Sequence, residues 1–198
     1  MAVKVGIIAI QGAVSEQMDM VERTLDNLGI KGTAVSVRRL PDLEGVQALI
    51  LPGGESTTIA KLLVKFGLFD KIISRAHEGM PIMGTCAGTI LLAKDGDHQV
   101  SKTETKLLGL MDMAVDRNAF GRQRESFETD INVDGLKGPF HAVFIRAPAI
   151  TRVWGKCKVL SKFEDKIVIA KQENFLALTF HPELTKDLRL HSLLVQMI

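Results

Sequence analysis

The sequence predicts an α/β fold: a mostly parallel central sheet with helices on both faces and antiparallel strands added to it. Three observations carry the prediction. In the N-terminal half, β-branched runs alternate with segments of helical period, the pattern of a parallel sheet buried on both sides. Three of those runs stop at glycine-bearing turns: Gln11-Gly12, Gly53-Gly54-Glu55 and Gly84-Thr85-Cys86. Beyond residue 106 the chain changes to successive short strand-like runs joined by polar turns, which fits hairpins.

Taken in order, "VKVGIIAI" is a strand that ends at Gln11-Gly12. "SEQMDMVERTLDNLG" follows as a helix, with Met18, Val21, Leu25 and Leu28 at helical spacing and Gly29 closing it. "GTAVSVRR" and "QALILPGG" are the next two strands, and Ser56 is the expected cap of the helix "TTIAKLLVKFG". "DKIISRAHEG" reads as another helix, "PIMGTC" as a short strand and "AGTILLAK" as a helix start. The later strands are "GLMDMAVDRN", "SFETDINVDG", "HAVFIRAPAI", "KCKVLSKFED", "KIVIAKQ" and "NFLALTFHPEL", before an amphipathic helix, "TKDLRLHSLLVQMI". Without repeat, linker or low-complexity tract, residues 1–198 read as one domain. In a parallel sheet the ligand crevice lies beyond the carboxyl ends of the strands, where the three glycine turns would all open.

Composition narrows the function. Apolar residues make up 46% and charged residues 24%, with a net charge of +2. That is ordinary for a soluble globular domain. "RNAFGRQR" is locally basic but has no aromatic ladder, so nucleic acid is not expected as a partner. The apolar N-terminal run is too short to span a bilayer and lacks a cleavage pattern, so no membrane association is expected and the cytoplasm is the expected location. Two cysteines form no disulfide framework, and neither sits in a metal-binding pattern.

One of those cysteines sits in the tightest turn of the chain. Gly84-x-Cys86-x-Gly88 is the thiol form of a nucleophile elbow, a strand-to-helix turn that projects its central side chain into the crevice. Glycines leave room around the sulfur, the following helix start favours thiolate, and the Ala87 N–H is free to face an oxyanion. A small buried thiol in an ordinary turn has the same local pattern. Cys157, mid-strand between lysines, reads as structural. A cysteine nucleophile needs a base and the base an orienting acid. His77 and His191 read as surface or packing residues, His98 as a loop residue and His141 as a strand start. His181 follows the apolar run "FLALTF", and in an extended segment Glu183 two residues on would share its side. "LPGGEST" lacks the lysine of a phosphate loop; its glycine pair suits a second oxyanion donor or a plain strand-ending turn.

"GTCAG" with downstream "HPE" resembles the class I glutamine amidotransferases, whose triad is Cys, His and Glu. "AIQGAVSEQ", "LPGGEST", "RNAFGRQRESFE", "VFIRAP" and "HPELT" are similar to one subfamily, the glutaminase subunits of pyridoxal 5'-phosphate synthases. The resemblance implies a three-layer, flavodoxin-like fold. It implies Cys86 as nucleophile, His181 as proton shuttle and Glu183 as its orienting acid. Gly54 and Ala87 would donate the oxyanion hole, with Gln11 organising it. Gly54, Glu55, Ser56, Arg117, Ile145 and Arg146 would contact L-glutamine. Neither metal nor cofactor is implied. One domain takes up the sequence and leaves none to use ammonia, so a separate synthase subunit is expected. The resemblance implies a (β/α)8-barrel partner in a large hetero-oligomer.

Two stretches depart from the subfamily. Many members read Glu-His where this chain has Glu16-Gln17, a difference expected to bear on the partner contact; "DGDHQVSKTETK" is expected to be a surface loop. The competing readings are a glutaminase for another ammonia-dependent synthase, a peptidase or thiol hydrolase on a related fold, and a catalytically silent synthase-binding subunit.

Overall fold

The computed structural model describes residues 2–117, 119 and 126–198; most of "RNAFGRQR" lies outside them. Twelve strands and six helices run β1 (Val3–Ile8), α1 (Val14–Asn27), β2 (Gly32–Val37), β3 (Ala48–Leu51), α2 (Ser56–Lys65), α3 (Leu68–His77), β4 (Ile82–Thr85), α4 (Ala87–Leu92), β5 (Ala93–Gly96), α5 (His98–Lys102), β6 (Met111–Asp116), β7 (Ser126–Ile131), β8 (Phe140–Ile145), β9 (Ala149–Val153), β10 (Lys158–Phe163), β11 (Lys166–Gln172), β12 (Phe175–Leu178) and α6 (Arg189–Val195), among the described residues.

The main sheet has the order β2-β1-β3-β4-β12-β11-β9-β6-β5, with β10 paired to β11. From β2 to β12 every neighbouring pair is parallel. The β11, β9 and β10 pairings are antiparallel additions. The central strands β1, β3, β4 and β12 present apolar side chains to both faces and are buried almost throughout, which is why they read as mainly apolar runs. One core, including Ile59, Leu63, Leu68, Ile72 and Leu91, packs α2, α3 and α4 on one face. The other, including Val21, Leu25, Leu190 and Leu194, packs α1 and α6 on the opposite face.

The elements depart from the sequence reading in several places, and α5 (His98–Lys102) stands in a stretch expected to be a loop. "HAVFIRAPAI" is not one strand: Arg146 adopts φ 44° and splits it into β8 and β9. β7 and β8 then form their own two-stranded sheet instead of extending the main one. Phe140 and Phe144 anchor this hairpin, their rings 5.8 and 5.3 Å from that of Phe180. Burying those rings seats the end of β8, with Ile145, over the carboxyl edge of β4 and β12. The run "NFLALTFHPEL" is a strand only to Leu178, Pro182–Leu184 being a 3-10 turn, and the terminal helix is shorter than "TKDLRLHSLLVQMI", with α6 spanning Arg189–Val195. No helix among the described residues is long and apolar enough to cross a membrane.

Candidate active site

β4 ends at Thr85, and Cys86 turns the chain into α4 with φ 48° and ψ −105°. A non-glycine residue in this region costs on the order of 1–3 kcal/mol and persists only where its surroundings enforce it. The surroundings are visible. The Cys86 N–H donates to the Leu178 carbonyl at 2.8 Å. The Thr89 hydroxyl, one turn into α4, lies 2.6 Å from the same carbonyl and 3.0 Å from that of Gly84. A Cβ on Gly88 would strike the Leu51 backbone, and one on Gly84 would strike Gly88. The glycines therefore let α4 dock against β3 and β4.

β12 delivers the base. His181 follows it by three residues, and its N–H donates to the Val143 carbonyl of β8 at 2.8 Å. Its Nδ1 lies 2.7 Å from Glu183 Oε1. Glu183 reaches it through the 3-10 turn rather than along an extended strand, so the expected pairing holds by a different backbone route. Cys86, His181 and Glu183 are 8, 9 and 5% exposed. Burial alone would disfavour the imidazolium. Hydrogen bonds and charge from Cys86 and Glu183 outweigh it and raise the His181 pKa to about 10. The site thus favours the protonated imidazole. Cys86 Sγ also lies 3.9 Å from the Ile145 carbonyl.

The glycine pair after β3 closes the other wall. A Cβ on Gly53 would run into the His181 ring, and one on Gly54 (φ 157°) into the Gln11 carboxamide. Gln11 Oε1 accepts the Glu55 N–H at 2.9 Å. Gln11, Gly54, Cys86 and His181 are therefore brought to one edge, as the sequence required. Ala87, first in α4, carries an N–H that a helix leaves without an internal partner. Among the described residues, no group of three or more His, Cys, Asp or Glu could hold a metal ion.

The expected glutamine contacts fall into two places. Arg117 Nη2 pairs with Glu55 Oε1 at 2.9 Å. Ile145 and Arg146 are exposed at the end of β8, beside Cys86. Glu55, not Ser56, caps α2, accepting the N–H groups of Thr57 and Thr58 at 3.0 and 2.7 Å. A carboxylate one residue earlier reaches both orphan donors, which the Ser56 hydroxyl, buried inside the first turn, does not. Those bonds and the Thr58 hydroxyl overcome partial burial and hold the Glu55 carboxyl down at about 2.

Gln17 is not a surface residue. It lies fully buried in α1, its Nε2 3.3 Å from Thr85 Oγ1 and its Oε1 2.9 Å from His191 Nε2. The departure from the subfamily thus concerns the packing behind the nucleophile, not a partner contact. A neutral imidazole and a carboxamide each offer a donor and an acceptor, which is why Gln can stand where His is common. The signal was present in the sequence. Position 17 falls on the same helical stripe as Met20, Val21, Thr24 and Leu25.

Sequence comparison shows the family. A model of the SNO glutamine amidotransferase family matches residues 7–198. The chain belongs to that family. It is a glutaminase by membership. The pyridoxal 5'-phosphate synthase subunit PdxT of Archaeoglobus fulgidus is 54% identical, with 98% of each chain covered. PdxT of Sulfurisphaera tokodaii is 46% identical, again with 98% of each chain covered. Among solved structures, one described as a glutamine amidotransferase is 46% identical and superposes with a TM-score of 0.86 over 98% of this chain and 97% of that one. A Thermotoga maritima glutamine amidotransferase, only 14% identical, superposes with a TM-score of 0.61 over 100% of this chain and 90% of that one, which speaks to the fold alone.

Proposed function

We propose that this chain, one glutaminase domain over residues 1–198, hydrolyses L-glutamine through a Cys86 thioester. We further propose that it hands the ammonia to a separate pyridoxal 5'-phosphate synthase subunit. The observation that carries the reading is Cys86 on a strained elbow, held against His181 with Glu183 2.7 Å behind it.

In the first half-reaction Cys86 Sγ attacks the side-chain amide carbon. The carbonyl oxygen becomes an oxyanion, met by the N–H groups of Gly54 and Ala87, with Gln11 ordering the loop that carries Gly54. His181 gives its proton to the leaving nitrogen, the C–N bond breaks, and ammonia leaves a γ-glutamyl thioester. In the second, His181 takes a proton from water as it attacks the thioester, and glutamate departs as the thiolate re-forms. Glu183 fixes the ring and balances the imidazolium throughout. Glu55, Ser56, Arg117, Ile145 and Arg146 bind the substrate's backbone end. Arginine suits the α-carboxylate, which takes charge-assisted, bidentate contacts.

Ammonia released into water would be protonated and lost, so the synthase docks over the site. The subfamily resemblance makes that partner a (β/α)8-barrel in a large complex. Reaction with a glutamine-mimicking electrophile, mapped by mass spectrometry, should place the adduct on Cys86; an adduct confined to Cys157 refutes the mechanism. Glutamine labelled in its amide nitrogen, supplied with candidate synthases, identifies the consumer by the product that carries the label.

A further inference from the structure

The stretch at 95–106 lies mostly on the surface, as expected, but it contains the short helix α5, and Asp97, the exposed Thr103 and the buried Thr105 turn toward Arg117. Asp97 caps α5 through Oδ1, which accepts the Val100 N–H at 2.9 Å. Its Oδ2 accepts the backbone N–H of Arg117 at 3.1 Å. Past α5, Thr103 and Thr105 approach the Arg117 side chain. Arg117 Nη1 lies 3.1 Å from Thr103 Oγ1 and 3.3 Å from Thr57 Oγ1. Thr105 Oγ1, 7% exposed as a residue, lies 2.7 Å from each of those two oxygens.

Each hydroxyl has a single proton, and this fixes the direction of the chain. The Thr103 O–H is used on the Gln99 carbonyl, 2.9 Å away, with the Val100 carbonyl behind it at 3.3 Å. Thr105 then donates to Thr103, and Thr57 donates to Thr105. The lone pairs left on Thr57 and Thr103 both face Arg117 Nη1, which can only donate. The direction set by one helix carbonyl thus makes both ends of the chain acceptors for a cation. With Glu55 on Nη2, three of the five guanidinium N–H bonds are held. Two have no partner among the described residues, the number a carboxylate takes in a bidentate contact.

We infer that residues 97–105 are a positioning scaffold for Arg117: the Thr57–Thr105–Thr103 hydroxyl chain orients its guanidinium toward the α-carboxylate of glutamine. This rests on the reading that Arg117 binds that carboxylate. The threonines touch no substrate; they act through the arginine. Losing an acceptor should therefore weaken glutamine binding and leave the chemistry at Cys86 alone.

The test measures glutamate release by the chain with its synthase subunit, at varied L-glutamine, for Thr103→Val, Thr103→Ser, Arg117→Gln and the double variant Thr103→Val/Arg117→Gln. Valine keeps the shape of threonine and removes the acceptor. Thr103→Val should raise KM roughly tenfold, the size of one hydrogen bond to a charged group, with kcat unchanged. Thr103→Ser, which keeps the hydroxyl, should stay within about twofold of the parent chain. Arg117→Gln should raise KM further, and Thr103→Val should add nothing in that background. If Arg117→Gln leaves KM unchanged, the reading of Arg117 fails and the inference with it. If Arg117→Gln raises KM while Thr103→Val does not, the arginine's role stands and the scaffold is refuted. Equal damage by serine and valine, or an undiminished Thr103→Val effect in the double variant, also overturns it, because the threonine then acts through packing. A Thr103→Val chain that melts well below Thr103→Ser transfers the same comparison to Thr105→Val and Thr105→Ser.

Discussion

His191 offers a sharp test of how the layer behind the nucleophile is held. Its ring is fully buried in α6; Nε2–H donates to Gln17 Oε1, and Nδ1 has no partner among the described residues. Protonation would place a second N–H and a full charge among Leu190, Leu194 and their apolar neighbours. Burial accordingly lowers the pKa from 6.5 to about 4. The folded value lies below the unfolded one, so as pH falls the unfolded chain takes the proton first. Stability is intact above pH 6.5 and is lost as pH falls toward 4. Proton linkage with these two values gives a loss of about 2 kcal/mol at pH 5 and about 3 kcal/mol at pH 4. The assay is urea denaturation at pH 7 and pH 5 of the parent chain and of His191→Gln. The glutamine side chain keeps an N–H for Gln17 but does not titrate, and every other group cancels in the comparison. The parent should lose about 2 kcal/mol more than the variant. Equal losses in the two proteins would show that His191 is not held neutral in the fold, and the account of the Gln17–Thr85 tie would fall with it.

Three further outcomes follow from the site. Glu183→Gln leaves an uncharged partner behind an imidazole that must carry a proton, so kcat should fall at least about 100-fold with KM little changed; a variant within about threefold of the parent removes Glu183 from the triad. Gly53→Ala places a methyl where the His181 ring lies, so steady-state turnover should collapse while the melting temperature moves by only a few degrees. Thr89→Val removes the hydroxyl beneath the elbow and strands buried carbonyl capacity, which should cost about 1–3 kcal/mol in denaturation; an unchanged midpoint would show that the elbow does not depend on it.

The parts of this site legible in the sequence are those fixed by local constraints. Gly84-x-Cys86-x-Gly88 reads as an elbow because only small flanking residues let α4 close on β3, and that is a property of five consecutive residues. The glycine pair at 53–54 was legible as a turn, but not as the wall against which His181 and Gln11 pack. Those contacts join segments that no local pattern links. The cap of α2 reads as Ser56 rather than Glu55, because a capping serine is the commoner solution. The Gln17–His191 bond spans 174 positions. What the sequence did hold was a polar residue on each of two apolar stripes, and a buried polar side chain has to find a partner.

Strand register explains how the proposed nucleophile and base, nearly a hundred residues apart, come to one site. β4 and β12 are parallel neighbours, with Gly84 opposite Ala177 and Thr85 opposite Leu178. Cys86 is one residue past the end of this ladder and His181 three residues past it, so both positions are counted from the same pairing. A slip of one residue would displace His181 by about 3.3 Å along the strand and turn the inward faces of β12 outward. The pairing of thiol and imidazole could not survive that. Both faces of β12 are buried, each by a different core, so the slip would also expose or misplace Leu176, Ala177 and Leu178. The apolar residues that stabilise the sheet are therefore the ones that set the distance between thiol and imidazole. Core substitutions in β12 that change volume should accordingly lower kcat before they lower stability enough to unfold the chain.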